Sequence, residues 1–151
     1  MSSVDASEEA QVDEERPLPE YAGVAAAFWL VFAAFLARNR GRLPERVGAA
    51  DFARITLSTY KLSRLIAKDE VTTFLRAPVT EDKAGERPKR RGFPRAVGEL
   101  VTCPYCIGLW LASGLSYAHV VFPRETRFAT SIFSAHALTD FLNAGFVRLR
   151  G

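Results

Sequence analysis

Two cysteines two residues apart, in Cys103-Pro104-Tyr105-Cys106, are the only thiols in this 151-residue chain. That spacing lets two sulfurs close a disulfide or share a metal. Pro104 suits the first turn of a helix, where its missing N–H would have no partner anyway. The free N–H groups and the dipole of such a helix start stabilise a thiolate on Cys103. A redox reading makes Cys103 the attacking thiolate and Cys106 the resolving thiol, with Glu99 or a His136–Asp140 pair managing protons. It also needs a partner protein or a small thiol to relay electrons. In a zinc reading, Cys-Pro-x-Cys-x-Gly is half of a knuckle. Structural zinc takes four ligands, so only a dimer pooling two cysteine pairs would complete the site. In a third reading the cysteines only pack.

A second group lies nearer the C-terminus. His136, Asp140 and Asn143 step by four and three, which places them on one face of a helix. In an apolar run, such a face either relays protons or holds helices together through hydrogen bonds, with Ser113, Ser116 and Tyr117 as candidate partners.

The elements that must carry these residues are apolar runs between basic segments. Residues 100–123 form a charge-free run of 24, against about 17–25 for a membrane-spanning helix. Residues 21–37 form another, closed by Arg38, Arg40 and Arg42. Residues 128–147 form a third, with Asp140 its only formally charged residue. The expected fold is therefore an all-α integral membrane protein with three transmembrane helices, at about 21–37, 101–122 and 128–147. Residues 51–68 differ. Phe52, Ile55, Thr59, Leu62 and Ile66 make one helical stripe, while Arg54, Lys61, Arg64 and Lys68 make a crossing costly. This predicts an amphipathic helix lying in the membrane interface.

Around these elements, residues 1–20 hold seven acids and one base and read as a disordered acidic tail. Residues 21–151 then form one helical membrane domain, with a basic loop at 77–97. Gly108, Ala112 and Ser116 make a small-residue face that predicts close helix approach, either to a protein partner or in self-association. The cations flank apolar runs and do not interleave with aromatics on a free face, which argues against nucleic acid and for anionic lipids as partners. The distribution of Lys and Arg predicts an outside N-terminus, a cytoplasmic C-terminus and a cytoplasmic Cys103–Cys106 pair. No cofactor other than that possible zinc is implied.

The Cys-Pro-Tyr-Cys tetrapeptide is identical to one found in glutaredoxin-like proteins, but the apolar helix after it leaves no room for their strands. Three longer patches resemble a family of small bacterial membrane proteins, domain of unknown function 1360. One runs from Tyr60 to Thr72 and on to Leu75-Arg76. The second is Gly98-Glu99-Leu100-Val101-Thr102-Cys103-Pro104-Tyr105-Cys106-Ile107-Gly108-Leu109-Trp110. The third is the last run, with His136, Asp140 and Leu142. The resemblance implies an integral membrane protein and supplies no activity. The function read from the sequence is a non-enzymatic membrane component or partner-binding subunit, with a membrane thiol–disulfide oxidoreductase and a zinc-pinned dimer as alternatives.

Overall fold

The computed structural model describes residues 18–81, 87–89 and 92–150. Most of the expected acidic tail, and residues 82–86 and 90–91 of the expected basic loop, lie outside this set. Among these residues there are six α-helices, α1 (Leu18–Asn39), α2 (Ala49–Lys68), α3 (Thr73–Arg76), α4 (Phe93–Thr102), α5 (Pro104–Val121) and α6 (Pro123–Arg150). The described residues contain no strand beyond an isolated bridge between Thr80 and Pro88. The all-helical expectation holds.

Proline positions several of these boundaries. Pro94 and Pro104 sit in the first turns of α4 and α5, and Pro123 opens α6. Gly92, with φ of 72°, turns the chain into α4 in a left-handed conformation that glycine adopts without steric cost. Cys103 separates α4 from α5 in an extended conformation, and the two helices meet there at 84°. The segment expected to be loop and span entry is thus a helix lying across the end of the bundle.

Helix α2 is the hub, packed between α5 and α6. It runs parallel to α6, since Asp51 meets Arg127, Ser58 meets Thr130, and Lys61 meets Asp140. It runs antiparallel to α5, since His119 approaches Asp51 while Gly108 lies against Thr59. Residues 51–68 thus pack lengthwise along the helices formed by the second and third apolar runs. The apolar stripe is not their buried face. Phe52 is 65% exposed, whereas Ser58, Ser63 and Ala67 are buried. The perpendicular element at the end of the bundle is α4.

Helix α1 runs parallel to α5, pairing Phe28 with Trp110 and Phe35 with Tyr117, and its Tyr21 donates to Glu99 of α4. The start of α1 and the cysteine pair therefore share one end of the molecule. Three alternating spans with those two on opposite sides do not produce this packing.

The interior is small and polar, and the surface is apolar. The buried hydrophobic residues among those described are Ala67, Ala96 and Ala137, alongside Ser58, Thr126, Thr130 and Ser134. Leu30, Phe128 and Leu142 are each more than 70% exposed. This inverts the usual partition of a water-soluble domain. Leu18–Arg42 is long and apolar enough to cross a membrane, and α4 with α5 passes the same test only as a bent pair. Among the described residues there are thus one or two such segments by length and composition, not the three expected.

Candidate functional site

The C-terminal end of α2 builds the floor of the cysteine site. Arg76 is 1% exposed and caps this helix, donating to the carbonyls of Ile66 at 2.5 Å and Asp69 at 3.1 Å. Thr72 donates to the carbonyls of Leu65 and Asp69 at 2.5 and 2.9 Å. A cation on the terminal carbonyls of a helix is favourable both as a hydrogen-bond donor and against the helix dipole. Gly98 of α4 lies against the segment that follows. A Cβ there would stand 2.6 Å from the Val79 carbonyl oxygen and 3.0 Å from Pro88 Cβ. α4 is thereby held close, and Cys103 follows its last turn.

Cys103 is the N-cap of α5, with its sulfur accepting from the Cys106 backbone N–H at 3.4 Å. The Cys106 thiol points at the same sulfur, 2.8 Å away. That thiol donor, the N–H groups of Cys106 and Tyr105, and the positive charge of Lys68 hold Cys103 below the usual thiol range, against an opposing effect of burial. Cys103 is partly exposed and Cys106 is exposed. Structural cysteines that act only by packing are ordinarily buried, so this exposure favours reactivity. No group of three or more His, Cys, Asp or Glu side chains converges among the described residues. Among the described residues the two sulfurs thus have no third or fourth zinc ligand of those types beside them.

A family model described as a protein of unknown function (DUF1360) matches residues 55–146, more than half of the chain. The chain belongs to the DUF1360 family. It is also 26% identical over 104 residues to UPF0713 protein YngL of Bacillus subtilis (strain 168), covering 64% of this chain and 80% of that protein. No solved structure matches it. The patches on which the resemblance rests now have physical roles in this DUF1360 chain. Thr72 and Arg76 cap α2, Gly98 admits the crossing segment, and Gly108 brings α5 against α2.

The second candidate group is only partly assembled. His136 Nδ1 lies 3.8 Å from Asp140 Oδ1, with the His136 side chain 58% exposed. Asp140 Oδ2 accepts from Lys61 Nζ of α2 at 2.7 Å, so its partner is neither Ser113, Ser116 nor Tyr117. Asn143 is exposed. Sequence reasoning missed this role by counting Lys61 only among the cations that make a crossing costly. A signal was present, because Asp51, Arg54, Ser58 and Lys61 share a helix face, as do Arg127, Thr130 and Ser134 in matching register, with Asp140 to one side of that face. The end charges are opposite, Asp51 facing Arg127 and Lys61 facing Asp140.

The small-residue face is used inside the chain. Gly108 packs on Thr59. Ala112 and Ser116 line a cavity of about 570 Å3 among α1, α2 and α5. Thr59 Oγ1 and Tyr117 Oη, on residues lining the same cavity, are buried without a hydrogen-bond partner. Such a group costs about 1–3 kcal/mol when left unpaired.

Proposed function

We infer that this protein is a membrane-embedded helical bundle whose chemistry is reversible thiol–disulfide exchange at Cys103 and Cys106. The observation that carries this reading is the pair's geometry, with two sulfurs 2.8 Å apart at an accessible helix start, one of them hydrogen-bonded as a thiolate would be. Cys103 attacks a substrate disulfide and forms a mixed disulfide. Cys106 then attacks Cys103, closing the internal disulfide and releasing the reduced substrate thiol. The reverse sequence oxidises a substrate dithiol.

The inverted burial pattern supports the membrane part. Exposed Leu, Phe and Trp around a core of Ala, Ser and Thr suits lipid, where packing and interhelical hydrogen bonds drive association. The finer reading follows from the helix directions. α1, α2, α5 and α6 cross alternately, leaving the cysteine pair and both chain ends on one side. α2 crosses because its charged middle is neutralised by Asp140. Eight Lys and Arg between Lys68 and Arg95, with Arg148 and Arg150, then outnumber four between Arg38 and Arg46 with Arg124 and Arg127. By charge bias the cysteine side is cytoplasmic.

A partner-binding role is the second reading. It is favoured by the C-terminal part of α6, where Phe141, Leu142, Phe146 and Val147 are all exposed. The test is Cys106→Ser in cells. Exchange chemistry predicts that it accumulates a reducible adduct through Cys103, which Cys103→Ser abolishes at equal abundance. A phenotype unchanged in both variants, with no adduct, would leave partner binding as the function. Zinc at half an equivalent per chain, lost in Cys103→Ser, would replace both with a metal-pinned dimer.

A further inference from the structure

Cys106 also lines a cleft of about 350 Å3 enclosed by α1, α4 and α5, within the range of small-molecule sites. The protein's two tryptophans, Trp29 and Trp110, both line it. Phe28 stands between them, edge-on to each, at 5.6 and 5.2 Å between ring centroids. Trp29 and Leu109, at 63% and 57% exposure, open the cleft toward the apolar surface. Its polar side chains besides Cys106 are Tyr21 and Glu99, with the Tyr21 hydroxyl donating to the Glu99 carboxylate. Arg95 donates to the other carboxylate oxygen at 3.0 Å.

We propose that this cleft binds a planar, lipophilic two-electron acceptor of the quinone class, which oxidises the Cys103–Cys106 dithiol. The proposal rests on the thiol-exchange reading above and supplies its missing electron acceptor. The walls select the occupant. Aromatic edges and faces accept a flat ring better than a flexible chain. The apolar opening admits a molecule dissolved in lipid. The Tyr21–Glu99 pair, its hydroxyl hydrogen already given to the carboxylate, offers a proton relay to a ring oxygen. A bare acyl chain would use neither the thiol nor that pair.

The electrons balance as follows. Toward the ring the two thiols exchange roles, because Cys106 and not Cys103 lines the cleft. Cys106 passes its proton to the Cys103 sulfur as it adds to a ring carbon, forming a C–S bond. The electron pair moves onto the ring oxygen, which takes a proton by way of Glu99. Cys103 then loses its proton and attacks the Cys106 sulfur. The S–S bond forms, the C–S bond breaks, and its electron pair leaves with the ring. The second ring oxygen is protonated by the Cys103 proton, the first having drawn on water. Thiolate, thiol, quinone and one proton become disulfide and hydroquinone.

The test uses the full chain, reduced and placed in phosphatidylcholine nanodiscs, with decyl-ubiquinone as the probe and diamide as a general oxidant. The expected result is saturable quenching of tryptophan fluorescence and one disulfide closed per quinone reduced. Ala25→Phe, which fills the cleft away from the sulfurs, should slow oxidation by decyl-ubiquinone at least tenfold and leave closure by diamide unchanged. Cys106→Ala should keep the quenching and lose the oxidation. Disulfide closure by diamide with neither quenching nor oxidation by decyl-ubiquinone overturns the cleft proposal and leaves thiol exchange standing. If diamide also fails to close the disulfide, the exchange reading itself falls.

Discussion

Lys61 on α2 reaches Asp140 on α6 with 2.7 Å between its ammonium nitrogen and the nearer carboxylate oxygen. The Lys61 side chain is 13% exposed, so its charge is largely removed from water and depends on that carboxylate. A charge left without its partner in such a place costs more than losing the pair as a whole. Lys61→Met and Asp140→Leu should each lower the melting temperature in detergent. The double variant should recover much of either loss. Additive losses in a double-mutant cycle would show that the pair contributes no coupling.

Asp51 makes the corresponding contact at the other end of the α2–α6 interface, level with Arg127 and beyond the apolar part of α6. Its hydrogen bond to Arg127, helped by charge attraction from Arg127 and His119, holds its carboxyl below the usual carboxylate range despite opposing burial. A pKa lower in the folded than in the unfolded state means the contribution is complete above about pH 4–5, and is lost as pH falls through the folded value. Asp51→Asn should therefore destabilise the protein at neutral pH and show a shallower loss toward acid. Parallel pH profiles for the two proteins would contradict this.

Gly98 admits the Val79 carbonyl to within 2.6 Å of where a side chain would begin, while nothing lies within 4 Å of the equivalent point at Gly23. Gly98→Ala must displace backbone, and should cost about 1–3 kcal/mol as overpacking does. Gly23→Ala should be neutral or slightly stabilising, since alanine favours helix. Thermal unfolding of the two variants side by side separates a packing constraint from a general glycine effect.

These comparisons show what the sequence made legible. The apolar runs and the proline-led helix start located α1, α5 and the cysteine N-cap. The face of His136 and Asp140 was visible from spacing alone. The direction of α1 was not, because its parallel docking rests on ring pairs such as Phe35 with Tyr117 that no local pattern encodes. The role of α2 was misread for a physical reason. Its contact surface is made of Ser58, Ser63 and Ala67, and hydrophobic periodicity cannot detect an interface built from small polar residues. Ser58 donates to the Thr130 carbonyl at 2.9 Å, worth about 0.5–1.5 kcal/mol, and is fully buried. α4 was hidden because its short helix follows a basic segment and joins α5 through a sharp bend.

Cys103 should react as a thiolate. Iodoacetamide modification of the reduced protein, resolved by mass spectrometry, should favour Cys103 over Cys106 at pH 7, with a rate midpoint below the roughly 8.5 of a free thiol. The sign follows from the cause, since donors that stabilise the anion keep it deprotonated at lower pH. Lys68→Glu should move the midpoint upward. Equal rates at both cysteines, or a midpoint at or above the free-thiol value, would remove the basis for assigning the attack to Cys103.

Redox titration of the purified protein in glutathione buffers, with trapped thiols counted by maleimide gel shift, tests thiol exchange most directly. Both cysteines should lose reactivity together in a single two-electron transition, tenfold for about 30 mV, at a potential within the range of about −270 to −120 mV spanned by thiol–disulfide oxidoreductases. Two cysteines that stay reduced across that range, or titrate independently, would contradict the account.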